Sequence, residues 1–358
     1  MQIQVRINEE GTLRNQRYAF TDKFTLISEL MQNARRAGAT RIEIEYDDKS
    51  NILCVVDDGC GIDDFQKLLT FNESGWNAAT CVEERPFGIG FSKCLYSASR
   101  CVVESRWQKI DFLTDEALGR HPIDVHQVDY RLGTRVELHD VVLPGLTERL
   151  KTMCEGFTIP VWFNGHELPR PYASDRMPFV TTAIGQVYLA GTQDGKHASN
   201  MLVFLQGFCV MKPIYYQVDG INVVHLDSKE FVARLPDRDK LIDENDQRKR
   251  IDACLTALWR EILLAAKATM TAESFVATYY EAMRSWRQLD LLNDVPILPT
   301  ALCKRIVGYP RHVQRPHGLV DLPFALHVQM AGGFVQHQNL GRLVQRPRQQ
   351  QALLLPAR

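Results

Sequence analysis

Apolar residues recur at spacings of three and four from Phe24 through Ile27, Leu30 and Ala34 to Ala37, which predicts an amphipathic helix over 23–37. Thr21-Asp22 offers its N-cap. Gly38 offers its stop, because glycine takes the left-handed conformation without penalty. The period then changes to two: Arg41-Ile-Glu-Ile-Glu-Tyr46 alternates as a half-buried strand. After the turn Asp47-Asp-Lys-Ser-Asn51, the run Ile52-Leu-Cys-Val-Val56 reads as a more deeply buried strand. Asp57-Asp-Gly-Cys-Gly61 closes that strand, and a short helix is expected near Asp64–Phe71. Residues 72–86 keep no period and are expected to be irregular and mobile. Phe87-Gly-Ile-Gly-Phe-Ser92 opens a helix to about Ala98. Strands follow at 100–106, near 122–131 and at 134–139, then a helix near 145–155. Ile159-Pro-Val-Trp-Phe163 is a strand entering the tight turn Asn164-Gly165.

Helices and antiparallel strands thus mix in α+β style. Pro169-Arg-Pro171 is a plausible boundary, so one domain is expected at 1–170 and a second at 171–303. The second has strands near 187–191, 201–211 and 222–227 and a polar loop, Arg234-Leu-Pro-Asp-Arg-Asp-Lys-Leu241. Its long helical stretch, 245–289, is broken near Thr271-Ala-Glu-Ser274. Residues 304–358 read as a Gln/Pro/Arg-rich tail.

A chain of 358 residues suits two such domains, and its 45% hydrophobic and 24% charged composition is that of a soluble globular protein. The formal net charge of −1 gives no global case for nucleic-acid binding. Charge is uneven, however: the tail carries eight Lys/Arg against Asp321 alone. The nine cysteines never fall in CxxC spacing, which removes zinc knuckles and thioredoxin motifs, and buried reduced thiols are expected. The start, MQIQVRINEEG, lacks the regions of a signal peptide, and no apolar run could span a bilayer. A cytoplasmic protein with no membrane partner is expected.

Three short boxes carry candidate chemistry. In Glu29-Leu-Met-Gln-Asn33 the carboxylate and the amide are four apart, on one helical face and off the apolar stripe. Glu29 there could polarise a water as general base, and Asn33 could offer a neutral oxygen to Mg²⁺. The same residues alone would equally make an exposed polar face. In Asp57-Asp58-Gly59-Cys60-Gly61 a strand-end carboxylate could accept from an adenine amine, while the glycines let the backbone approach the base. A plain acidic turn has the same composition. In Gly88-Ile89-Gly90-Phe91-Ser92 glycines at a helix entry expose N–H groups suited to phosphate oxygens.

The order of these parts is what specifies them. Glu29-Leu-Met-Gln-Asn33-Ala-Arg-Arg-Ala-Gly-Ala-Thr40 resembles the N-box of the GHKL superfamily (gyrase B, heat-shock chaperone, histidine kinase, MutL). Asp57-Asp-Gly-Cys-Gly-Ile62 resembles its G1 box and Gly88-Ile-Gly-Phe-Ser92 its G2 box. Gly133-Thr134-Arg-Val-Glu-Leu138 is similar to the strand whose threonine contacts adenine. The resemblance implies a Bergerat-type α/β sandwich that binds ATP or ADP with Mg²⁺, followed by a transducer-like α/β domain. It implies Glu29 as general base, Asn33 as Mg²⁺ ligand, Asp57 as adenine reader, and Gly59, Gly61, Ile62 and Thr134 around the base. Gly88, Ile89, Gly90, Phe91 and Ser92 would cradle phosphates, and residues 63–86 would form a lid. The chain departs from the family at Arg36, where an acid is usual. Paired with Glu29, Arg36 would weaken that base and slow turnover; otherwise it reaches a phosphate or faces solvent.

In family members with a transducer, a cation from that domain reaches the γ-phosphate, and Arg238 or Lys240 is the candidate here. The resemblance therefore implies a slow, chaperone- or MutL-like ATPase acting on a protein partner, with N-terminal homodimerisation as one mode. A DNA-processing factor using the basic tail is the alternative. A histidine kinase fits less well, because only about 20 residues precede the N-box helix.

Overall fold

A computed structural model describes residues 3–18, 22–73, 75–76, 78–84, 88, 90–213, 220–234, 239–295, 297–299, 319–321, 326–329 and 334–337. Two compact units divide the chain. The first comprises Met1–Thr181, Val203–Lys212 and Val224–Gln247; the second comprises Thr182–Leu202, Pro213–Val223 and Arg248–Arg358. The functional residues discussed below lie in the first.

That unit begins with α1 (Glu9–Gln16), which the apolar pattern did not announce because none of its residues is buried. Helix α2 (Thr25–Arg36) follows, and Leu26, Ile27, Leu30, Met31 and Ala34 enter the core as their spacing requires. Burying each large one contributes roughly 1.5–3 kcal/mol. Asp22 accepts from the Phe24 N–H at 2.8 Å just ahead of the helix, and Gly38, at φ +72°, turns the chain out of it.

Strands β1 (Ile42–Asp47) and β2 (Ile52–Asp57) pair antiparallel, with Ile42 opposite Asp57. Then come the short helices α3 (Gln66–Leu69), α4 (Ala78–Glu84) and α5 (Ser92–Ser97), and strand β3 (Arg100–Leu113). After α6 (Thr114–Leu118) the chain enters β4 (His126–His139), a single strand where the sequence suggested two; Gly133, at φ +72°, is the residue that looked like a break. Helix α7 (Leu146–Cys154) leads to β5 (Val161–Phe163) and β6 (His166–Glu167).

The six strands form one mixed sheet of order β3-β4-β2-β1-β5-β6, antiparallel except where β5 runs parallel to β1. Alternation sends Ile42 and Ile44, Leu53 and Val55, Val103, Val136 and Leu138 into one core with the apolar faces of α2, α5 and α7. This helix-layer-on-sheet arrangement is the α+β sandwich expected from the sequence.

Beyond it lie β7 (Val180–Thr182), β8 (Gly185–Tyr188), β9 (Met201–Leu205), β10 (Phe208–Met211) and β11 (Asn222–Leu226), in a second sheet of order β10-β9-β11-β8-β7. Gln206 and Gly207, both at positive φ, make the two-residue turn between β9 and β10. Helices α8 (Glu244–Thr269) and α9 (Ala272–Ser285) belong with the second unit's apolar cluster around Trp259, Phe275 and Tyr279, and the break between them is capped by Thr271. Most of the expected tail, 304–358, lies outside the described residues. Among those described, no helix is long and apolar enough to cross a membrane, and all eight cysteines are free.

Candidate functional site

Helix α2, the ends of β2 and β4 and described residues between Gly61 and Phe91 line a cavity of about 170 Å³. Glu29, Asn33 and Arg36 line it from one helical face. Asp57, Gly61, Ile62 and Thr134 line it from the strand ends, and Gly88, Gly90 and Phe91 close its far side. Four motifs spread over more than a hundred residues therefore meet in one place.

Strand register explains how. In the β2–β4 ladder Asp57 lies directly opposite Thr134, and in the β3–β4 ladder Ser105 lies opposite Thr134, so the three form a row across adjacent strands. Ser105 is fully buried. Its hydroxyl donates to the Gly133 carbonyl at 2.6 Å, lies 3.2 Å from the Thr134 hydroxyl and accepts from the Ile62 N–H at 2.9 Å. It thereby ties the glycine loop to the strand that faces it. The sequence reading missed Ser105; the available signal was a small polar residue inside the apolar run Cys101-Val-Val-Glu-Ser105.

The adjacent aspartates have separate tasks. Asp58 turns away and accepts from the backbone N–H groups of Thr40 and Arg41 at 2.7 and 2.9 Å, securing the link from α2 to β1. Burial pushes the Asp58 carboxyl up, but the Thr40 and Arg41 donors outweigh it and hold the pKa below the ordinary value. Asp57 faces the cavity. Burial pushes its carboxyl up to about 6, only partly opposed by the Gly59 N–H that donates to it at 2.9 Å. A half-desolvated carboxylate of this kind gains from a partner that donates a hydrogen bond.

The glycines permit close approaches. A side chain at Gly59 would begin 2.7 Å from the Ala37 Cβ, and one at Gly133 would begin 1.9 Å from the Asp57 carbonyl oxygen. At the other end of α2 the Glu29 carboxylate lies against Gly90, where an added Cβ would sit 2.2 Å from Oε2. Gly88 (φ +69°) packs on the Glu73 backbone, and its carbonyl accepts from the Asn72 N–H at 3.0 Å. Phe91 and Ser92 are buried at the start of the six-residue α5. Glu29 is itself buried, as a wall of the cavity, although its spacing put it off the apolar stripe.

Gly59, Ser92 and the exposed Lys240 are not among the residues that line the cavity. Ile89 and Arg238 lie outside the described residues.

Within the segment expected as a lid, α3 falls where a short helix was expected near Asp64–Phe71, whereas α4 occupies part of the stretch 72–86 expected to be irregular. Asp63, Asp64, Lys67, Leu68, Glu73, Gly75 and Trp76 contribute to the cavity wall. Glu84, the last residue of α4, receives Arg35 and, at 2.8 Å, the Nε of Arg36. Burial raises the Glu84 carboxyl, but the two guanidinium groups outweigh it and hold its pKa low. Arg36 thus pairs with Glu84, not with Glu29. The expected weakening of Glu29 by that arginine loses its ground, because α4 folds back far enough to take the charge.

Among the described residues no cluster of three or more acids, histidines or cysteines is placed to hold a metal. The half-buried amide of Asn33 on the cavity wall fits Mg²⁺ of the kind held by one protein oxygen and otherwise by phosphates and water. The fold and this site define an α+β domain with a cavity between one helix and the ends of its central strands. Residues 22–134 match the family described as histidine kinase-, DNA gyrase B-, and HSP90-like ATPase, so the chain carries a GHKL-superfamily ATP-binding domain. No curated protein matches the chain.

Proposed function

We propose that the protein is a Mg²⁺-dependent, slowly turning ATPase of the heat-shock chaperone or MutL kind, acting on a protein partner through movement of the segment 63–86. The observation that supports it best is the convergence of Glu29, Asn33, Asp57 and Thr134 on one cavity. Asp57 accepts a hydrogen bond from the exocyclic amine of adenine, and Thr134 assists from the facing strand. The Gly88–Phe91 turn receives the phosphates. Glu29 takes a proton from the water that attacks the γ-phosphorus; the bond to the bridging β–γ oxygen breaks, leaving ADP and phosphate. Magnesium, held with the nucleotide at Asn33, would neutralise phosphate charge.

Slow turnover rests here on the Arg35–Glu84–Arg36 cluster, which must loosen whenever nucleotide exchanges under the lid. Arg238 and Lys240 stay the candidates for a cation that meets the γ-phosphate in a closed state.

Calorimetry and phosphate release test the reading together. Glu29→Ala is expected to keep Mg·ATP binding while turnover falls about 100-fold or more. Wild-type protein that takes up no ATP, or a Glu29→Ala variant that hydrolyses it at the wild-type rate, would overturn it.

A further inference from the structure

Ser105 is completely buried beside Thr134, and the capacity of its hydroxyl is used up. A serine hydroxyl has one proton to give and two lone pairs with which to accept. The proton goes to the Gly133 carbonyl, the shortest of its contacts at 2.6 Å. One lone pair takes the Ile62 N–H at 2.9 Å. The second lone pair is what remains for the Thr134 hydroxyl at 3.2 Å, so Thr134 is the donor in that contact.

That direction decides what this wall can offer a base. Thr134 lines the cavity, and its single hydroxyl proton is turned into the protein at Ser105. The neighbouring N–H groups are engaged as well. Those of Gly59 and Thr134 donate to the Asp57 carboxylate, that of Cys60 to the Ala37 carbonyl and that of Ile62 to Ser105. Ionised Asp57 itself only accepts. A purine with a 6-amino group meets Asp57 donor to acceptor. A 6-oxo group would bring an acceptor against an acceptor, and a donor from the adjacent threonine is what could relieve that conflict. A threonine hydroxyl free to rotate donates as readily as it accepts. With Ser105 in place it is not free.

We propose that Ser105 is a specificity-determining positioning residue: by taking the Thr134 proton it keeps that hydroxyl from donating to the base, and so helps to exclude 6-oxopurine nucleotides such as ITP and GTP. It acts through Thr134, and it rests on the ATP-site reading above.

A double-mutant cycle read on two nucleotides tests it. Displacement of a fluorescent ADP analogue by ATP and by ITP is measured with Mg²⁺ at pH 7.5, above the Asp57 pKa of about 6. The proteins are wild type, Ser105→Ala, Thr134→Val and the double variant, with folding checked by near-ultraviolet circular dichroism. Ser105→Ala frees the threonine proton, and the preference for ATP over ITP is expected to shrink about fivefold or more. In the Thr134→Val background there is no proton to free, and the same serine change is expected to move the preference by less than about twofold. Ser105→Cys keeps the shape but accepts weakly, so a smaller shift in the same direction is expected; it carries the test should the alanine variant not fold. A preference that the serine variants leave unchanged overturns the proposal. So does an equal shift with and without the Thr134 hydroxyl, which would mean that Ser105 only supports the Ile62 loop, and so does a wild type that binds ITP as tightly as ATP. Wild-type protein that binds neither nucleotide instead overturns the ATP-site reading, and the proposal with it.

Discussion

Asp57 carries a conflict between stability and function. A carboxyl whose pKa is about 6 in the folded chain, against an ordinary 3.8, binds its proton more tightly folded than unfolded. It therefore opposes the fold progressively as pH rises from 3.8 through 6, by up to about 3 kcal/mol at neutral pH. Asp57→Asn is accordingly expected to raise the melting temperature of the nucleotide-free protein at pH 7.5, with a gain that disappears near pH 4. The same variant should lose the stabilisation that ATP confers, because the one amide oxygen is held by the Gly59 N–H and the amide NH₂ would then meet the adenine amine donor to donor. In wild type, ATP affinity should decline below pH 6 as the carboxylate is protonated. Thermal melts across pH, with and without ATP, read all of this; a neutral-pH melting temperature below wild type would contradict it. The paired acids in Asp57-Asp58 were visible in the sequence. Which of them faces a ligand and which holds a turn depends on the direction each side chain takes beyond the last β2 residue.

At the scale of elements the site depends on close approach between parts that are remote in the chain. The chain at Gly90 meets α2 at Glu29, and the missing side chain leaves room for the carboxylate. Gly90 is not in a left-handed conformation, so alanine is tolerated by its backbone; the added methyl would displace the flexible end of Glu29 instead. Gly90→Ala is thus expected to lower kcat about tenfold or more, with stability changed by less than about 1 kcal/mol and ATP still bound. Comparing kcat with nucleotide affinity checks this; unchanged turnover would count against Glu29 as base. A second approach involves the β9–β10 turn. Gln206 donates to the Glu84 carbonyl at 3.4 Å and receives the Gln32 side chain at 3.3 Å, joining the turn to the lid helix and to α2. Nothing in the local pattern of 201–211 pointed to that contact. Helices α2 and α7 and strands β1 and β2 were legible because one apolar face imposes a regular period. Helix α4 was not, since its seven residues, Ala78-Ala-Thr-Cys-Val-Glu-Glu84, are too few to show a period.

At the scale of the molecule, the segment before α1 bears on assembly. Ile3, Val5 and Ile7 alternate as a strand would, yet they are 88%, 93% and 77% exposed. Apolar side chains left uncovered in this way are what the N-terminal homodimer implied by the family resemblance would cover. Light scattering with Mg²⁺ and a non-hydrolysable ATP analogue is expected to find a dimer for wild type and a monomer for Val5→Asp; a wild type that remains monomeric would count against that assembly. By itself the chain's order of residues determined the α+β class, the main elements of the ATP-binding domain and the identity of the boxes that form its site. These depend on periodicity and on residue types whose local chemistry is the same wherever they stand. Only the tertiary structure decided that Ser105 ties the Ile62 backbone to the Gly133 carbonyl and that Glu84, not Glu29, takes Arg36. Those outcomes depend on which charges and hydroxyls are desolvated together, and burial is a property of the folded surroundings that no short stretch of sequence contains.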